Sequence, residues 1–97
     1  MLKVYDKAQW HIDAGTDEAV VVEKMKVLFD FLNDKGFLQD EGKEVLDLGI
    51  DDSVSIHERM LTDAGNKFME SKYDTIINTN VEEFLEALEK AFVDYSK

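Results

Sequence analysis

The chain has 97 residues, of which 22 are acidic and 11 are basic, and its formal net charge is -11. It contains neither proline nor cysteine, which excludes disulfides, thiolate zinc sites and cysteine nucleophiles. Hydrophobic residues make up 44% of the chain, too many for a disordered acidic tail. Because single domains span about 50 to 250 residues, we expect one small acidic helical domain over residues 1–97.

The sequence has no feature of an exported or membrane-bound protein. Its first residues, 1–7, hold no apolar run of signal-peptide length, and nowhere do about 18 uncharged apolar residues follow one another. The absence of cysteine also fits a reducing compartment. We therefore expect a cytoplasmic protein that makes no contact with a membrane.

The first predicted element is a short helix over residues 4–11. Val4, Ala8 and His11 fall on one side of such a helix. This arrangement would place Trp10 against the body of the domain.

The second predicted helix, over residues 16–35, is the most apolar segment of the chain. Thr16 is its predicted N-cap, and Gly36 is its predicted end. The apolar side chains form a stripe and an adjoining flank, so the helix is either the centre of the domain or half of a dimer seam; we favour the centre. The stripe contains Val21, Val22, Met25, Leu28, Phe29 and Leu32, and the flank contains Val20, Val27 and Phe31.

The middle of the chain gives weaker signals. Residues 39–48 predict a short helix that Gly49 ends, although Gly42 lowers its helix propensity. Residues 50–61 mix turn residues with alternating apolar positions. They predict either a small β element near residues 53–61 or an extended connection.

Two helices are predicted in the last third of the chain. The first covers residues 63–72, with Thr62 or Asp63 as its cap, and the second covers residues 81–95 after an Asn80 cap. We therefore expect a mainly α, compact single domain of four to five short helices around a central apolar helix. The predicted buried side chains of these two helices are Phe68, Met69 and Tyr73, and Val81, Phe84, Leu85, Leu88, Phe92 and Tyr95.

No sequence pattern predicts catalysis. His11 follows Asp6 by five residues and His57 precedes Glu58, but in so acidic a chain a carboxylate near each histidine is expected by chance. His57 has no second histidine at the spacing of a zinc-protease helix, and the glycines are too widely spaced for a phosphate-binding loop. We expect a protein that is not an enzyme and binds no metal and no cofactor.

Two short segments resemble bacterial winged-helix regulators. Residues 60–68 contain the Leu-Thr-x-x-Gly run that starts the last helix of such regulators, and Lys35-Gly36-Phe37-Leu38 resembles their helix-stop-Leu pattern. The resemblance covers about a quarter of the chain and implies a winged-helix-like topology. Residues 37–61, however, carry two basic side chains against seven acidic ones, and phosphate neutralisation dominates affinity for DNA. We expect no direct contact with nucleic acid.

The acidic excess lies in the latter two-thirds of the chain. Residues 1–36 hold five basic against seven acidic side chains, whereas residues 62–97 hold four against eight. The excess predicts two acidic ridges, one in the middle of the chain and one on the last helix. The first contains Asp40, Glu41, Glu44, Asp47, Asp51 and Asp52, and the second contains Glu82, Glu86 and Glu89.

The charge pattern favours a protein-interaction domain that binds a basic partner. Complementary charge steers association, and small acidic domains without catalytic groups are typical of immunity proteins, antitoxins and other inhibitors of basic enzymes. Aromatic anchors would be Trp10, Tyr5 and Tyr73, since such residues dominate binding energy at interfaces. The alternatives are a surface that only confers solubility, and a structural helical adaptor or homodimer whose seam is the apolar helix of residues 16–35.

Overall fold

The computed structural model describes residues 2–96, which form five α-helices and a two-stranded antiparallel sheet. This architecture confirms the predicted fold class, including the central apolar helix and the small β element. In chain order the elements are β1 (Val4–Lys7), α1 (Ala8–Asp13), α2 (Glu18–Asp34), α3 (Asp40–Leu48), β2 (Ser55–His57), a 3₁₀ turn (Glu58–Met60), α4 (Asp63–Ile76) and α5 (Val81–Ser96).

Helix α2 is the centre of the domain. It contacts α1, α3 and α5, which together cover its wide apolar surface. Its N-cap is Asp17, whose side chain accepts the Ala19 N–H at 2.8 Å, so the prediction of Thr16 is wrong by one residue. Gly36 follows the helix with a φ of 73°, a conformation that costs glycine little because it has no Cβ. The buried side chains of α2 are Val21, Met25, Leu28, Phe29, Phe31 and Leu32.

The amino-terminal segment differs from the prediction of one helix over residues 4–11. Residues 4–7 form β1, which pairs antiparallel with β2 so that Val4 lies opposite His57, and the helix begins only at Ala8. The backbone of β1 is satisfied by a strand that is distant in sequence, a pairing that local periodicity cannot show. Trp10 is 51% exposed, so it does not lie against the body of the domain as predicted.

Two buried glycines allow helices to approach neighbouring backbone closely. A Cβ at Gly42 of α3 would lie 2.8 Å from the Met60 carbonyl oxygen. A Cβ at Gly65 of α4 would lie 2.8 Å from the Phe37 carbonyl oxygen. Gly42 therefore allows α3 to pack closely against the 3₁₀ turn. This packing explains why a helix forms there although glycine has a low helix propensity.

Helices α4 and α5 join α2 through an aromatic cluster. Phe68 of α4 has its ring centre 5.6 Å from those of Phe31, Phe37 and Tyr95, and 6.4 Å from that of Phe92. Of the two predicted caps of α4, Thr62 is the one used, since its hydroxyl accepts the Gly65 N–H at 3.1 Å, and Asp63 is the first residue of the helix. Helix α4 extends beyond the predicted end. No helix within residues 2–96 is long and apolar enough to cross a membrane.

Candidate functional site

The nine carboxylates of the two predicted ridges are all exposed. Those at positions 40, 41, 44 and 47 lie on α3, those at 51 and 52 lie in the loop after it, and those at 82, 86 and 89 lie on α5. Both helices pack against α2, but α3 otherwise contacts the 3₁₀ turn and α5 otherwise contacts α4. The ridges therefore belong to different parts of the surface.

Three of these carboxylates contact a histidine, a lysine or a serine of the protein. Glu41 Oε2 lies 3.0 Å from His57 Nε2, and Glu89 Oε1 lies 3.2 Å from Lys35 Nζ. Asp51 accepts hydrogen bonds from the Ser53 hydroxyl at 2.6 Å and the Ser53 N–H at 2.9 Å. These bonds, the hydroxyl first, lower the pKa of Asp51 and fix the turn after α3.

The loop after α3 meets the start of α2 at a pair of carboxyl groups. A hydrogen bond between Glu18 and Asp52, followed by the charge of Asp52, raises the pKa of Glu18. Both residues line an open groove of about 420 Å³ that also includes Glu23 and Asp51, with Lys26 as its basic member. We call Asp40, Glu44, Asp47, Asp52 and Glu18 together the acidic face.

The three predicted aromatic anchors lie in different environments. Trp10 is exposed, and the Tyr5 ring is partly buried with its hydroxyl donating to Asn66 Oδ1 at 2.6 Å. Tyr73 is only 3% exposed, and its hydroxyl donates to Asp6 Oδ2 at 2.5 Å. Because the Tyr73 ring lies in the core, it is not available as a surface anchor, which corrects that prediction.

A buried cluster centred on Asp6 connects β1, α1 and α4. Asp6 is 1% exposed and is the one charged residue that is buried within the described part of the chain. Its carboxylate accepts from the Lys7 N–H at 2.8 Å and the Tyr73 hydroxyl, and its two oxygens lie 2.8 and 2.9 Å from His11 Nε2. Since a carboxylate accepts and does not donate, these contacts occupy both oxygens.

The sequence contained only part of the signal for this cluster. Asp6 and His11 are five residues apart, a spacing that looked accidental among so many acids. Their third partner, Tyr73, lies in α4 and meets Asp6 only through the tertiary fold. Burial is therefore what distinguishes Asp6 from the other described carboxylates, and no local pattern around residue 6 predicts it.

A cavity of about 310 Å³ lies beside the Asp6 cluster. It is bordered by α1, α2, the start of α5 and the connection between α4 and α5. Lys24 lines this cavity, with its Nζ donating to the Ile77 carbonyl at 2.9 Å and lying 4.8 Å from the centre of the Phe84 ring. Burial lowers the pKa of Lys24, and the charge of Asp6 opposes this change.

Two tyrosines are held in their neutral form by the fold. Burial, and after it the charge of Asp6, raises the pKa of Tyr73 well above its ordinary value. Burial, followed by the charges of Glu70 and Glu58, raises the pKa of Tyr5 to about 12. In the unfolded chain the tyrosine hydroxyl has an ordinary pKa of 10.0.

We expect stability to fall at alkaline pH because of these tyrosines. A group whose pKa is raised on folding contributes stability that is fully present below its unfolded pKa, here 10.0. The contribution of Tyr5 should therefore be lost as the pH rises from 10.0 towards about 12. Urea unfolding across this pH range measures the free energy of unfolding of each protein relative to its own value near neutral pH. We expect this free energy to fall less in Tyr5→Phe than in the wild type. Equal losses would contradict the assignment.

The described residues contain no cluster of three or more histidine and carboxylate side chains that could hold a metal ion. Comparison with known proteins adds no relative: no protein-family model, no curated protein and no solved structure matches this chain.

Proposed function

We propose that the protein is a non-enzymatic interaction domain that binds a basic protein through the acidic face, as an immunity protein, antitoxin or other inhibitor does. The observation that carries this proposal is the groove between the start of α2 and the loop after α3, which is lined by the exposed carboxylates of Glu18, Glu23, Asp51 and Asp52. Lys26 is the one basic residue of this lining. The charge of these carboxylates would steer a lysine or arginine of a partner to the groove.

Helix α3, which directly precedes the loop that lines this groove, adds further exposed acids. Asp40, Glu44 and Asp47 are exposed and lie at spacings of four and three residues, which place them on one side of the helix. Within residues 2–96 none of the three forms an ion pair, whereas Glu89 on α5 pairs with Lys35. The acidic face therefore carries more uncompensated charge than the α5 ridge, and we assign the partner to it.

The alternative of an adaptor or homodimer would use a different surface. Most of the apolar stripe of α2 is covered within the protein, but Leu85 on α5 is 52% exposed. Leu85 lines an open groove with Val27 and Phe31 of α2, and this groove would form the seam of a dimer. Sedimentation at micromolar concentration separates the two functions, since the inhibitor proposal expects a monomer.

A charge-matched pair of variants tests the acidic face. The first variant combines Asp40→Asn, Glu44→Gln and Asp47→Asn, and the control combines Asp74→Asn, Glu83→Gln and Asp94→Asn, all at exposed positions. Both lose three negative charges, but only the first loses them from the acidic face. We expect the first variant to bind an oligolysine peptide with an association rate lower by about tenfold, because steering depends on the local field. The control should stay near the wild type.

Amide chemical shifts in a ¹⁵N-labelled sample would locate the peptide. The proposal expects salt-sensitive chemical-shift changes at residues 40–52 and at Glu18. In a separate experiment, the immobilised wild type and the control should retain a basic protein from a cell extract, and the first variant should not. Asp51 is left unchanged because its carboxylate fixes the turn at Ser53. Equal weakening in the two variants, or shifts centred on α5, would contradict the assignment of the acidic face.

A further inference from the structure

The cavity beside Asp6 has the features of a small-molecule site. Its volume, about 310 Å³, lies near the lower end of the range of roughly 300 to 1,000 Å³ that is typical of ligand pockets. Val21, Met25 and Phe84 give it an apolar wall, and its polar lining residues come from β1, from four of the helices and from the connections between them. We propose that this cavity binds a small monocarboxylic acid with an apolar body, whose carboxylate pairs with Lys24.

The hydrogen bonding of the cavity favours an anion. Asp6, the carboxylate at its inner end, is already occupied by the Lys7 N–H, His11 and Tyr73, so it has little capacity left to bind a cationic ligand. Lys24 is different, because its ammonium group has three donors and makes one hydrogen bond, to the Ile77 carbonyl, within residues 2–96. The partly buried group with unused donors is therefore cationic, and the carboxylate of the lining other than Asp6, that of Glu82, is exposed to solvent.

The surroundings of Lys24 would strengthen its bond to a ligand. The side chain is half-buried and lies over the Phe84 ring, so water screens its charge less than it screens that of an exposed lysine. A carboxylate bound there would form a charge-assisted hydrogen bond, which is about twice as strong as a neutral one. Thr79 and Thr16 also line the cavity and can donate through their hydroxyl groups.

A carboxylate at the mouth of the cavity restricts the charge of the ligand. Glu82 lines the cavity and is exposed to solvent at the start of α5. It would repel a second negative charge on a ligand that extends from Lys24 towards the mouth. The apolar residues Val21 and Met25 instead suit a short aliphatic chain or a ring. These two features select a monocarboxylate over a dicarboxylate or a phosphate ester.

A matched ligand series on the unmodified protein tests the proposal. Butyrate, butyramide, butylamine and succinate differ mainly in charge and are titrated into ¹⁵N-labelled protein. We expect saturable shifts with butyrate at Lys24, Thr79 and Phe84, and an affinity for butyramide that is lower by about tenfold, as the loss of a charge-assisted bond predicts. Stronger binding of butylamine or succinate than of butyrate, or no saturable binding of butyrate, would overturn the proposal.

Two variants test whether Lys24 supplies the positive charge that binds butyrate. Lys24→Met keeps the apolar stem of the side chain over Phe84 and removes the ammonium group, and Lys26→Met removes an exposed lysine from the same helix. Butyrate should bind Lys24→Met about tenfold more weakly and Lys26→Met as it binds the wild type. Equal binding to the two variants would overturn the role of Lys24. The ligand series does not depend on either variant, and neither test depends on the acidic face.

Discussion

Replacing Asp6 with alanine should lower the free energy of unfolding by about 3 to 5 kcal/mol, because it leaves more than one donor without an acceptor and each buried one costs about 1 to 3 kcal/mol. The substitution takes the acceptor away from the Tyr73 hydroxyl, from His11 and from the Lys7 N–H at once. A buried donor without a partner bears its full desolvation penalty, because water cannot reach it in the folded state. The loss is therefore larger than that of a surface salt bridge.

Urea unfolding of a small set of variants measures this effect. Asp74→Asn removes an exposed carboxylate of the same size and should change stability by less than about 0.5 kcal/mol. Tyr73→Phe should cost less than Asp6→Ala, because Asp6 keeps His11 and Lys7 as donors. The double variant should lose less free energy of unfolding than the two single variants together, since without the Tyr73 hydroxyl there is no donor at that position that requires Asp6. If Asp6→Ala were as stable as Asp74→Asn, the cluster would not contribute to stability.

Replacing Phe68 with alanine should also cost about 3 to 5 kcal/mol, the usual range for a buried phenylalanine. The ring is fully buried and touches four other aromatic rings from α2, α5 and the segment after α2. Its loss leaves a cavity at the junction of these elements and removes favourable ring contacts. Since domains of this size are stable by only about 5 to 15 kcal/mol, the variant should unfold at a much lower urea concentration.

Two control substitutions separate ring contacts from general hydrophobicity. Phe68→Leu keeps most of the apolar volume and should cost clearly less than Phe68→Ala. Leu85→Ala removes a large side chain from the surface, where Leu85 is 52% exposed, and should have a small effect. A Phe68→Ala variant that unfolds at the same urea concentration as Leu85→Ala would show that the aromatic cluster is not a main source of stability.

The elements that could be predicted are those specified by residues close together in the sequence. Helices α2 and α5 each place apolar residues on one stripe, and the strength of that pattern depends on no other part of the chain. The start of α4 could be predicted for the same reason, because Thr62 and Asp63 are both residue types that favour the cap position, and the structure uses Thr62. The cap of α2 was predicted one residue too early, at Thr16 instead of Asp17, because both residue types favour the cap position.

The features that could not be predicted depend on contacts between distant residues. The strand β1 exists because residues 4–7 pair with residues 55–57, and four residues are too few for an alternating pattern to identify. The role of Gly42 is set by the Met60 backbone, and the hydrogen bond between Tyr73 and Asp6 joins residues far apart in the sequence. On the surface, the sequence predicted exposed acids, but the groove that Glu18 and Asp52 both line follows from the tertiary fold.

The hydrogen bonds of Asp6 affect which segments of the protein unfold locally. Strand β1 is short and lies near one end of the chain, where segments usually fray independently of the core. Asp6, however, links β1 to α4 through Tyr73, which lies near the carboxyl end of that helix. Detaching β1 would leave a buried hydroxyl without its acceptor, so the opening of this segment is coupled to α4. The first strand and the fourth helix should therefore behave as one cooperative unit, and local unfolding should begin elsewhere.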